Sequence, residues 1–97
     1  MRLLNILDFV DKEVIGLNGY VIGTTKNLIF DEKNWQIGLV DVELDPDIAK
    51  EYDMKKLFRS TRIAIEVGQV QGVADKVTLK TSKDELKIRI QAMEKPV

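Results

Sequence analysis

The chain contains no cysteine and no histidine. Without cysteine there is no disulfide, no thiolate nucleophile and no thiolate metal site. Without histidine, the usual general base near neutral pH and the commonest nitrogen ligand for a metal are both missing. No stretch approaches the ~20 apolar residues that cross a bilayer. Charge of one sign is lacking too: a formal net charge of −1 over 97 residues exerts no overall pull toward nucleic acid or anionic membrane. Ser60 and Ser82 have no histidine to activate them, and no serine–lysine motif is present. Gly16-Leu17-Asn18-Gly19 leads into a strand, whereas a phosphate loop leads into a helix. The chain is therefore read as non-enzymatic and without a cofactor.

What is present is an ordinary globular composition, 44% hydrophobic and 32% charged, in a length that makes one domain with a modest core. Residues 1–10 are apolar but broken by Asn5 and Asp8, and they lack the cleavage pattern of a signal peptide. Leu3, Leu4, Leu7 and Val10 recur at helical spacing, as in an amphipathic membrane anchor. One arginine is a weak basic face for that role, so the segment is read as a strand or turn joining the core. A cytoplasmic location follows as the default, with membrane contact only indirect.

Residues 19–44 organise the rest. Asn18-Gly19 suits a tight turn, and the run over residues 20–30 places Ile22, Leu28 and Phe30 on even positions, with Lys26 interrupting the alternation. Thr24 and Thr25 favour a strand because branching at Cβ restricts the first side-chain torsion. Asp31-Glu32-Lys33-Asn34 reverses the chain. The second run changes phase between Leu39 and Val40, which predicts a bulge or a segment buried on both faces. Gly23 and Gly38 stand where a small barrel needs sharp bending or close backbone approach.

Further strands are predicted at Glu13–Ile15 and over residues 62–67, 69–73 and 76–80. Asp45-Pro46-Asp47 starts a helix, with Ile48, Ala49 and Tyr52 on one face, running to about Asp53 and extendable through Leu57. The tail supports two readings. Ser82 with Glu85 forms a capping box, and Leu86, Ile90 and Met93 make a helical stripe. Leu86, Ile88, Ile90 and Ala92 also alternate with polar residues as in a strand. One helical turn followed by a strand is preferred, and such a strand needs a partner edge.

Gly19-Tyr20-Val21-Ile22-Gly23 and then Leu28-Ile29-Phe30-Asp31 resemble the opening signature of the PRC-barrel family. The likeness continues through Ile63-Ala64-Ile65, Val70, and the run from Val73 through Leu79, and covers roughly residues 3–86. Residues 48–57 look like the helical insert of its stand-alone archaeal members. Asp11 stands where that family usually has glycine, Asn27 where aspartate is common, Trp35 in a turn often held by glycine, and Ala64 where proline is frequent. The resemblance implies an all-β, mainly antiparallel small barrel with one inserted helix, a single domain over residues 1–97 whose core spans about 3–86, and a C-terminal extension over 87–97. It also implies a protein-binding scaffold that self-associates as a homodimer, in archaeal cell division. The branch of the family found in a ribosome-maturation factor supplies the alternative, an RNA- or ribosome-associated protein.

Three residue groups bear on these expectations. Trp35, Leu86, Ile88, Ile90 and Met93 are candidate partner contacts, the tail by edge or face pairing and Trp35 as an interface anchor. For Trp35 the preferred reading is that it folds back over the barrel mouth. Lys55, Lys56, Arg59 and Arg62, with Phe58 among them, could contact RNA, and a solvated basic face after a helix is the plainer reading. Asp41, Glu43, Asp45 and Asp47 alternate, but a calcium loop counted from Asp41 needs glycine and glutamate where Pro46 and Tyr52 stand, so no metal is expected.

Overall fold

The computed structural model describes residues 9–54 and 61–94, with side chains through residue 91. In order come β1 (Glu13–Ile15), β2 (Val21–Asp31), β3 (Gln36–Leu44), α1 (Pro46–Glu51), β4 (Arg62–Glu66), a 3-10 turn (Val67–Gln69), β5 (Val70–Val73), β6 (Val77–Leu79) and α2 (Lys83–Glu94). The strands make one sheet in the order β4-β3-β2-β1-β6-β5. The β1–β6 pair is parallel and the others are antiparallel.

The expected closed barrel is corrected here: the sheet is mixed, and among the described residues no ladder joins β4 to β5. It is nevertheless far from flat. Six flat strands would hold their outer members about 24 Å apart, while the four-link path from Glu66 to Val70 reaches at most about 14 Å. The sheet therefore rolls, with the 3-10 turn at its corner. The Lys80 N–H donates to the Gln69 carbonyl at 2.7 Å, and Thr81 Oγ1 donates to Gln69 Oε1 at 3.0 Å, pinning that corner to the end of β6.

Bulges supply the curvature. Register steps leave Ile22 extra against β1, Lys26 extra against β3, and Gly38 extra against β2. Lys26 broke the alternation in the sequence for this reason. The phase change expected at Leu39–Val40 arises at Gly38. Where β2 crosses the end of β3, a Cβ on Gly23 would stand 2.0 Å from the Glu43 carbonyl oxygen, so this approach requires glycine.

Inside the roll lie Val14, Ile22, Val40, Val42, Val77 and Leu79, with Leu28, Ile63 and Ile65 beside them. Ile48, Ala49 and Tyr52 from the α1 region and Leu86 and Ile90 from α2 join the same core. Pro46 opens α1 as expected, though Asp45 makes no side-chain cap bond. The helix stops when Asp53 takes φ 58°, its N–H bonding the Lys50 carbonyl and the Met54 N–H bonding the Ala49 carbonyl.

The preferred reading of the tail is also corrected. α2 is helical throughout Lys83–Glu94, started by Ser82, whose Oγ accepts from the Glu85 N–H at 3.2 Å. Leu86 and Ile90, four residues apart, share the buried face, while Ile88 is 66% exposed. A strand would have placed all three on one face.

Candidate protein-binding surface

β2 and β3 are much longer than their neighbours. β1 pairs with β2 only between Val21 and Thr24, and β4 pairs with β3 only between Leu39 and Glu43. Beyond those limits the two strands continue as a two-stranded arm, with no third strand against it among the described residues. Apolar side chains on the arm consequently lack a core: Ile29 and Phe30 are 41% and 48% exposed.

At the tip, the Trp35 N–H bonds the Asp31 carbonyl at 2.8 Å, the Lys33 N–H bonds Asp31 Oδ1, and the Gln36 N–H bonds Asn34 Oδ1. The turn is thus closed by its own polar residues. It places Trp35 at φ 57°, a left-handed conformation that costs a Cβ-bearing residue about 1 kcal/mol or more. Trp35 is 79% exposed, so no burial offsets this cost within the chain. The expectation that it folds over the barrel mouth is overturned. Neither β1 nor β4 extends far enough to give it a surface to cover.

The other sequence candidates scatter. Leu86 and Ile90 are buried, Ile88 faces solvent, and the Met93 side chain lies outside the described residues. Edge pairing by a tail strand is not available, because that segment is a helix. Lys55, Lys56 and Arg59 also lie outside the described residues, whereas Arg62 bonds Asp41 Oδ2 at 3.0 Å. Among the described residues no acidic group is arranged to hold a metal. Burial, then the neighbouring Glu13, Asp47 and Glu43, raises the Asp45 carboxyl above its ordinary value. Sequence reasoning missed Ile29 and Phe30, having set Phe30 on the same even positions as Ile22 and Leu28. The signal was the run length: an eleven-residue strand beside a three-residue one must outrun it.

At the opposite end Lys83 joins the two helices. Its Nζ bonds Glu51 Oε1 at 3.1 Å and sits 4.3 Å from the centre of the Tyr20 ring, and its carbonyl accepts the buried Tyr52 hydroxyl at 2.7 Å. The bond to Glu51 raises the Lys83 ammonium above its ordinary pKa. Burial, with Glu51 and Asp84 nearby, pushes Tyr52 up to about 12. These groups are engaged with one another, which marks a structural joint.

No protein-family model matches the chain, and no curated protein matches it. No helix among the described residues is long and apolar enough to cross a membrane.

Proposed function

We propose that the chain is a non-catalytic protein-binding module of the PRC-barrel type, a cytoplasmic homodimeric adaptor that recruits other proteins through the β2–β3 tip. The observation that carries this reading is Trp35, a large aromatic held exposed at a strained backbone position on a projecting arm. Tryptophan is a preferred anchor because one rigid ring buries a large area at small conformational cost. Ile29 and Phe30 are further apolar residues left exposed on the same arm. Support for the family reading comes from the backbone: Asp11 and Trp35, which stand where that family favours glycine, both adopt positive φ, at 63° and 57°. A role in archaeal cell division belongs to the same proposal and rests on the resemblance alone.

The test is affinity capture from native lysate with the tagged wild type and Trp35→Ala, with and without nuclease. Nuclease-resistant partners recovered by the wild type and lost from the folded variant are the expected result. An unchanged set of partners with Trp35→Ala would reject the tip as the binding surface. Recovery of ribosomal proteins that nuclease abolishes would favour the RNA-associated alternative.

A further inference from the structure

Among the described residues the sheet has two edge strands, β4 and β5, and they are finished differently. Pairing of β5 with β6 steps from Val70↔Leu79 to Gly72↔Thr78, leaving Gln71 extra. A bulge of this kind turns an edge away from further pairing. β4 has no interruption: its five residues pair with β3 in unbroken register from Leu39↔Glu66 to Glu43↔Arg62. Among the described residues nothing pairs with its outer edge. Its sequence, Arg62-Ile63-Ala64-Ile65-Glu66, is symmetric in hydropathy about Ala64 and opposite in charge at its ends. Ile63 and Ile65 are buried, while Arg62, Ala64 and Glu66 are exposed.

We propose that β4 pairs antiparallel with β4 of a second copy of this chain, about an axis at Ala64. In that register Arg62 of each copy stands opposite Glu66 of the other, Ile63 opposite Ile65, and Ala64 opposite itself. Opposite charges directly across an antiparallel pair attract, and a small residue at the axis sets no bulk against its own copy. A parallel in-register pairing would set arginine against arginine and glutamate against glutamate, so the charge pattern selects the antiparallel one. The bond from Arg62 Nη1 to Asp41 does not exhaust the guanidinium, which has five donors. This inference rests on the self-association in the functional proposal and supplies its surface. A five-residue ladder is small for an interface, so the dimer is concentration-dependent, and its ion pairs make it salt-sensitive.

Sedimentation velocity over a concentration series tests it, with the full chain as wild type, as Glu66→Lys, as Arg62→Glu, and as an equimolar mixture of the two variants. Each variant alone sets like charges opposite at both ends and is expected to dimerise roughly tenfold more weakly. The mixture restores opposite charges at both ends and is expected to recover wild-type association. Circular dichroism checks folding, and if loss of the Asp41 contact unfolds Arg62→Glu, the exposed Glu66→Lys change decides alone. Undiminished dimers in the folded variants overturn the β4 surface while leaving self-association standing. A mixture of folded variants that stays monomeric also overturns it, and a wild type that is monomeric at every concentration overturns both.

Discussion

The two ends of the β2–β3 hairpin behave oppositely. At the base, Gly23 lies against the Glu43 carbonyl, and Thr25 is fully buried. The Thr25 hydroxyl donates to the Phe9 carbonyl and accepts from the Lys12 N–H at 2.9 Å, tying residues 9–12 across the Lys26 bulge. At the tip, Phe30 and Trp35 are exposed although they are larger and more apolar than either base residue. Neighbouring elements make the difference. The base is flanked by β1, β4, α1 and the segment before β1, whereas among the described residues the tip has only its own two strands. Burial along a strand is set by what lies beside it as much as by its side chains.

The sharpest way to break the contrast is Gly23→Ala. The new methyl meets backbone that cannot move aside, and a loss of about 3 kcal/mol or more is expected, seen as a collapse of the urea midpoint. Thr25→Val keeps the shape but leaves the Phe9 carbonyl and Lys12 N–H without their buried partner. About 2 kcal/mol is expected by the same titration, and a loss below a few tenths would show that the hydroxyl does not tie this segment down.

Tyr52→Phe removes the hydroxyl bond to Lys83 and is expected to cost about 1 kcal/mol at neutral pH. Its pH signature is more specific. Because the folded pKa is raised from 10.0 to about 12, the folded state holds the phenolic proton more tightly than the unfolded state. The stability it contributes is fully present below pH 10.0 and is lost as pH rises toward about 12. Thermal melts across that window should show wild-type stability falling with a slope that Tyr52→Phe lacks, beyond the fall common to both from lysine titration.

The smallest effect belongs to the tip. Trp35→Gly relieves the left-handed backbone but loosens the unfolded chain, two terms of about 1 kcal/mol that largely cancel. Stability within about 0.5 kcal/mol of wild type is expected, together with loss of the captured partners. A large destabilisation would mean that Trp35 has a structural role and would weaken the contrast between base and tip.

Much of the fold was legible in the chain. Asn18-Gly19 marked the entry to β2, Asp45-Pro46 marked the start of α1, and Gly23 and Gly38 marked the points where the hairpin bends. These signals are local, because each concerns which backbone angles or close approaches a residue permits. Lys26 shows where local reading failed. It was visible as a fault in an alternation, but only the pairing with β3 identified it as a bulge. The candidate surface was less legible: Trp35 stood out as the single tryptophan, but nothing nearby in sequence said whether anything would cover it.

The tail makes the same division at one segment. Leu86 and Ile90 belong to a strand alternation and to a helical stripe alike, since four is close to one helical turn and is also twice the strand period. Ile88 distinguishes the two patterns, and its exposure is decided by the helix packing against the roll. By itself the sequence determined an absence of cysteine and histidine chemistry, the turns, the helix starts and much of the strand core, because these depend on side-chain type and backbone permission. Only the tertiary structure decided that the sheet rolls without closing, that β4 presents a regular edge, and that Trp35 is left exposed. Each of those depends on how strands pair and how far one extends past the next, a relation between segments distant in the chain.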